Sequence, residues 1–266
     1  VRLWCEEFNT NAKWSKKLLA KIAEKQYEDV YFNFNIRGDV MDDEMADLMK
    51  RANVWMVSLG VESASDRVLT GVEKKVSIQQ IERTCKILAS RGIKIQGYFQ
   101  FFNVWESNST LCVETFQEVI ATLVWALKMS FKGEIHYMFT SFSTPVPDTP
   151  LWQIASKYDL FVNDRNLPLS YLSPEIKLPG VSKIHLFIVR MSAFLIKGFV
   201  ALRSGNINSK LIYHILKNDD LKVGLGSCYI FGKGRVGGPE ETMKGIQQIL
   251  GVVRKDSNNM KAQMML

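Results

Sequence analysis

Residues 54–67, VWMVSLGVESASDR, decide how this chain is read. Val54, Trp55, Met56 and Val57 lead into Leu59-Gly60-Val61, and the run then breaks at Glu62, Ser63, Ser65 and Asp66. A nearly continuous apolar run of this length is the pattern of a parallel strand inside a sheet, not of one half-exposed to water. On parallel α/β sheets, ligands gather where strands end and the next helix begins. Ser65 or Asp66 is expected to cap that helix. Glu62 then has no structural duty, and with Ser63 it becomes a candidate site residue.

Outward from this stretch, residues 30–36 (VYFNFNI), 93–102 (IKIQGYFQFF) and 134–142 (EIHYMFTSF) also read as strands, and residues 1–4 as the end of another. Apolar side chains recur at helical spacing over 14–22, 45–49, 76–89 and 115–129. Strands alternating with helices imply right-handed crossovers and an α/β fold with a mostly parallel sheet, either an open fan or part of a barrel. Residues 103–108 read as a loop, 143–150 as a proline-bearing turn, and Trp4, Trp14, Trp55 and Trp125 as core. The alternation stops after residue 152, which divides the chain into 1–152 and a mainly helical extension, 153–266. In the extension, 159–181 reads as loop, 182–203, 208–217 and 239–253 as helix, and 224–238 as a glycine-rich turn whose GxGxxG lacks a preceding strand.

With 266 residues, 47% of them hydrophobic, the chain can bury a sizeable core. Its net charge of +7 is dispersed, without the basic block expected of a nucleic-acid binder. Cys5, Cys85, Cys112 and Cys228 are too far apart for a metal or redox pair and fit reduced thiols in a cytoplasmic protein. The histidines (His136, His185, His214) are likewise scattered. Residues 184–202 are apolar enough to suggest a membrane span, but Arg190 and Lys197 lie within them. Each such charge costs about 2.5–3.5 kcal/mol at a bilayer centre. A helix packed on the main domain is expected there, with peripheral membrane contact as the second reading and no transmembrane span. Because the chain opens on Val1 inside a strand, it is expected to be a fragment.

Glu6 and Glu7 follow the first strand as Glu62 and Ser63 follow the third. In a parallel sheet they share one rim, where they are either solvated loop acids or a site for an ammonium, a ribose hydroxyl or a metal ion.

Four stretches, WCEEF at 4–8, NIRGDVMDDEMADLMKRANVWMVSLGVESASDRVL at 35–69, KKVSIQQIERTCKILASRGIKIQGYF at 74–99 and STPVPDTPLW at 143–152, resemble the radical S-adenosylmethionine (radical SAM) superfamily. The resemblance is to the branch associated with a cobalamin-binding domain. It implies an incomplete parallel (β/α)6 partial barrel, of which this chain supplies the second to sixth strands. Glu6 and Glu7 would then face the methionine amino group, Glu62 and Ser63 the ribose or methionyl part, and Lys74 (or Lys75) the methionine carboxylate. Arg37 matches a strand-end arginine of the branch. The implied activity is reductive cleavage of S-adenosylmethionine to a deoxyadenosyl radical acting on a small-molecule or peptide substrate. The cofactors would be S-adenosylmethionine, a [4Fe-4S] cluster and cobalamin in an upstream domain, with flavodoxin or ferredoxin as reductant.

The family's CxxxCxxC loop follows its first strand. Neither is present here, so the cluster ligands are expected upstream of Val1 and this fragment alone is expected to be inactive. Where relatives show GLPGET, the chain has Phe102-Asn-Val-Trp-Glu-Ser, keeping only Glu106 and a hydroxyl, and Asp148 stands where a glycine is usual. The alternative is therefore a degenerate, non-catalytic binding or scaffold module. A third is an ordinary barrel enzyme acting on an anionic substrate.

Overall fold

The computed structural model describes residues 1–3, 5–162 and 174–203. Expectations for Trp4, His214, Cys228 and the segments 208–217, 224–238 and 239–253 lie outside the described residues.

Four parallel strands form one open sheet in the order β1 (Phe32–Ile36), β2 (Val54–Glu62), β3 (Lys94–Phe101) and β6 (Tyr137–Phe142). The helices α1 (Ala12–Glu24), α2 (Asp43–Arg51), α4 (Ile78–Ser90) and α5 (Phe116–Phe131) alternate with them, as the crossover rule requires. A short helix α3 (Asp66–Gly71) follows β2, and α6 (Pro150–Lys157) and α7 (Lys183–Arg203) follow β6. Among the described residues the sheet is not closed. The expected first strand is reduced to a single parallel bridge, Arg2 to Asn33, continued by Phe8 N–H donating to the Asn35 carbonyl at 2.8 Å.

Local chemistry sets each helix start. Asn11, Asp42, Ser65 and Thr149 accept from backbone N–H groups of α1, α2, α3 and α6. Ser77 with Gln80, and Thr115 with Glu118, form capping boxes on α4 and α5. Ser65 is thus the cap, while Asp66 Oδ1 accepts from the N–H of Ile78 at the start of α4.

The sheet has two unlike faces. Phe34, Val57, Leu59, Ile95, Phe99 and Phe101 are buried in the helix-side core. Each large apolar side chain there contributes about 1.5–3 kcal/mol. The alternate residues of β1, β3 and β6 are only half-buried and largely polar, facing a concave surface. β2 comes nearest to the continuous burial its sequence suggests, with Val57, Ser58, Leu59 and Val61 all buried.

Three expectations are corrected. Residues 103–108 are not a loop: β4 (Val104–Ser107) pairs antiparallel with β5 (Thr110–Val113) as a hairpin turning at Asn108 and Ser109, both with positive φ. Trp14 and Trp55 are not core; they are 55% and 38% exposed, although Trp125 does pack against the core. Residues 159–181 are not all loop, since Phe161 bridges Ile176 and Leu160 and Ile176 join Val104 and Ala155 in a second small core. The last helix, α7, buries Val189, Ala193 and Val200 and packs along α5 and β6, as the first reading of 184–202 required.

Candidate functional site

At the carboxyl ends of the strands the concave face opens into a cavity of about 600 Å³. Glu6, Glu7 and Glu62, three of the residues expected at one rim, line it together with Lys74, which the resemblance implied. Lys75 does not line it, which leaves Lys74 as the lysine of the site.

Glu62 ends β2 at a register shift against β3 and takes a φ of 61°, left-handed for a residue that has a Cβ. Such backbone strain is held in place by surrounding structure and concentrates at functional positions. Lys74 is presented on a loop whose flanking residues, Glu73 and Lys75, also have positive φ. Its Nζ donates to Glu62 Oε1 at 3.1 Å across the mouth. Gly60 lies beneath this pair. A Cβ there would come within 2.7 Å of Lys74 Nζ and 2.8 Å of Glu62 Oε1, so the bare backbone makes room for both.

Arg37 works one layer out. Its guanidinium grips Asp39 with two hydrogen bonds (2.9 and 3.0 Å), reaches Glu7 Oε2 at 3.3 Å and donates to the Lys74 carbonyl at 3.4 Å. Hydrogen bonding to Arg37 holds the Asp39 carboxyl below its ordinary range. The loop bearing Glu6 and Glu7 is fixed by buried Asn9, which exchanges two hydrogen bonds with the Arg37 backbone, and by Ser15 Oγ donating to the Phe8 carbonyl at 2.6 Å. Arg37 therefore orients an acid and a lysine of the site and does not itself line the cavity.

Ser63 and Glu106 are placed differently from expectation. Ser63 is fully buried and points behind the rim, its Oγ donating to Glu114 Oε1 at 2.6 Å. Glu106 sits on the hairpin, outside the cavity, and pairs with Lys157 at 2.7 Å.

Glu114 is the residue that sequence reasoning missed. It is fully buried directly before the α5 cap Thr115, and it accepts from Ser63 Oγ, Asn103 N–H and Asn103 Nδ2. Desolvation pushes its carboxyl up to about 7 against those hydrogen bonds. Glu114-Thr115 is a second acid–hydroxyl pair after β3, separated from Glu106-Ser107 by the turn and second strand of the hairpin. The available signal was the second acid–hydroxyl dipeptide standing immediately before an apolar helical run.

The two residues in place of glycines do not obstruct the cavity. Phe102 keeps a left-handed φ of 55°, and its ring is buried against Phe142, 6.2 Å centroid to centroid. Trp105 packs over Gly71 and under the Arg67 guanidinium, 4.8 Å from its ring. Asp148 also retains a positive φ, 65°. Arg67 in turn bonds Glu118, holding that carboxyl down to about 2 and tying α3, which leads to the Lys74 loop, to α5.

The acids and lysine occupy one side of the cavity. Along β3 and β6 the lining becomes aromatic, with Tyr98 and Phe139 in contact (centroids 5.0 Å apart) and Phe139 41% exposed. Gln100, Ser58 and Ser141 add amide and hydroxyl groups between the two.

Residues 6–104 match the Radical SAM superfamily. That stretch, which holds the cavity's acids and Lys74, is similar to a radical SAM core. The chain is 25% identical over 196 residues to an uncharacterized methyltransferase of Pyrococcus horikoshii, an alignment covering 74% of this chain and 39% of that protein. The fold is similar to that of the radical SAM methyltransferase TsrM from Kitasatospora setae, solved with tryptophan substrate and a SAM analog (TM-score 0.52, 19% identity, 73% of this chain and 42% of that one). It is also similar to the cobalamin-dependent radical enzyme OxsB with aqua-cobalamin and S-adenosylmethionine bound (TM-score 0.52, 14% identity, 99% and 41%). The chain thus spans about two-fifths of the length of the relatives it matches.

A four-iron cluster needs closely grouped thiolates. Among the described residues Cys5, Cys85 and Cys112 are free, Cys85 is buried with its thiol raised by desolvation, and no three His, Cys, Asp or Glu side chains are grouped to hold a metal. These residues do not fit the cluster.

Proposed function

We propose that the cavity binds S-adenosylmethionine and that the complete protein is a radical SAM enzyme. The observation that carries this is the joint placement of Glu6, Glu7, Glu62 and Lys74 in one cavity that the Tyr98–Phe139 pair also lines. A ligand with an amino-acid zwitterion at one end and a flat base at the other satisfies both sides. Its ammonium needs acids, its carboxylate a fixed cation, and its ring an apolar face. Lys74 would hold the carboxylate, Glu6 and Glu7 the ammonium, and Glu62 a ribose hydroxyl. Arg37 and Glu114 keep these groups in position.

S-adenosylmethionine, reductively cleaved, supplies a radical that takes hydrogen from an organic substrate. The cluster and the electron would come from beyond the described residues, in a cytoplasmic setting with flavodoxin or ferredoxin as donor. Methyl transfer with cobalamin is the finer reading, favoured by the methyltransferase of P. horikoshii and the fold shared with TsrM and OxsB. The scaffold alternative is motivated by the loss of glycines at 102 and 105; that the side chains of Phe102 and Trp105 do not line the cavity supports the enzyme reading over it.

Titration calorimetry with S-adenosylmethionine and with methylthioadenosine, which lacks the amino-acid end, tests the reading. Binding of the first is expected to exceed that of the second and to be lost in Lys74→Ala. Equal binding of the two, or binding indifferent to Lys74, overturns it.

A further inference from the structure

The helix α7 (Lys183–Arg203) has two faces that contrast in an unusual way. Val189, Ala193 and Val200 are buried against the body of the protein, with Phe199 meeting Phe131 of α5 and Arg190 lying over the Phe142 ring. The opposite face should be polar if it met only water. Instead Ile184, Phe187, Met191, Phe194 and Leu195 stand exposed at i, i+3 and i+4 spacing, with Phe187 65% and Phe194 70% accessible. On the neighbouring helix, Val124 and Phe131 are 44% and 53% exposed. Within residues 183–201 an 18-residue window has a mean hydropathy of 1.7, and only 17% of it is buried. A continuous apolar strip of this kind marks a surface that meets something other than water.

Charge selects the partner. Helix α7 contains Lys183, Arg190, Lys197 and Arg203 and no Asp or Glu. The last two turns of α5 add exposed Lys128 and Lys132, while Glu118 at the start of α5 is already paired with Arg67. A two-fold contact between copies would set these cations against their own images. An anionic lipid surface takes the apolar strip into its acyl boundary and the exposed lysines at its headgroups. Spanning is disfavoured, because one face of α7 is already held by β6 and α5.

We propose that α7 is a membrane-surface contact by which the protein sits on anionic phospholipid, with Phe187 and Phe194 inserted and the exposed Lys183, Lys128 and Lys132 at the headgroups. Arg203 is held back by the Ser130 and Phe131 carbonyls at the end of α5. This rests on α7 and the adjoining end of α5 and stands or falls independently of the cavity.

The test is co-sedimentation of the full chain with phosphatidylcholine vesicles, with and without phosphatidylglycerol. Binding is expected only to the anionic vesicles and should weaken as salt screens the cations. The double variant Phe187→Ser/Phe194→Ser should reduce it roughly tenfold while thermal unfolding and S-adenosylmethionine binding stay unchanged, both side chains being exposed. Absence of vesicle binding by the intact chain, or binding that the double variant leaves untouched, overturns the proposal. So does light scattering in which the variant converts a dimer to a monomer without altering vesicle binding, since a second copy then covers the strip.

Discussion

Lys74 Nζ and Glu62 Oε1, twelve residues apart in the chain, meet at 3.1 Å over the backbone of Gly60. Both side chains are only about one-fifth exposed, so the cost of desolvating the two charges offsets much of their attraction and the pair adds little net stability. Its value lies in poising a cation and an anion at the mouth of the cavity. Lys74→Ala is expected to abolish S-adenosylmethionine binding, and Glu62→Gln to weaken it less, while the melting temperature moves by no more than a few degrees in either case. Calorimetry beside differential scanning fluorimetry separates the two effects.

Gly60→Ala should strike the same pair from below. The added methyl would lie under 3 Å from both charged ends, and the flexible lysine would swing away before the sheet yields. Affinity for the zwitterion is expected to fall roughly tenfold, the effect of a misplaced clamp, with the fold intact. A loss of secondary structure in circular dichroism would contradict this.

Glu114 makes stability depend on pH. Its folded-state carboxyl titrates near 7 against an ordinary 4.5, so the native protein holds a proton that the unfolded chain releases. The stabilisation is fully present below about pH 4.5 and fades as pH rises through 7, by on the order of 3 kcal/mol in total. Glu114→Gln keeps the shape and removes the titration. Urea unfolding between pH 5 and 8 is expected to flatten for the variant, which should gain most at pH 8.

Restoring the glycine at Phe102 should harm the protein. A left-handed φ costs a residue with a Cβ about 1–2 kcal/mol, which glycine would return. The Phe102 ring, however, is fully buried against Phe142, and deleting a buried phenylalanine side chain costs about 3–5 kcal/mol. The larger figure wins, and Phe102→Gly is expected to lower stability by about 2–3 kcal/mol in denaturant titration.

The order of strands and helices, the parallel sheet and the rim acids were legible in the sequence because they depend on short-range periodicity and on where apolar runs end. Glu6, Glu7 and Glu62 could be named in advance for that reason, whereas Lys74 came from the family resemblance alone. What remained hidden involved contacts between distant segments. Ser63 stands next to Glu62 in the chain, yet alternation along the backbone and the kink at Glu62 send it behind the rim to Glu114, 51 residues later. Asn108 and Ser109 with positive φ turn a presumed loop into a hairpin, which puts Glu106 outside the cavity beside Lys157, while Glu114 after the hairpin is buried against Ser63 and Asn103.

Local patterning thus determined the α/β architecture and the class of ligand-gripping groups, since helix caps and strand termini are written within a few residues. Tertiary structure alone decided which of those groups share a cavity, which serve as supports, and which face of α7 is left bare. Each of these depends on distances between segments far apart in the chain, and no local pattern carries that information.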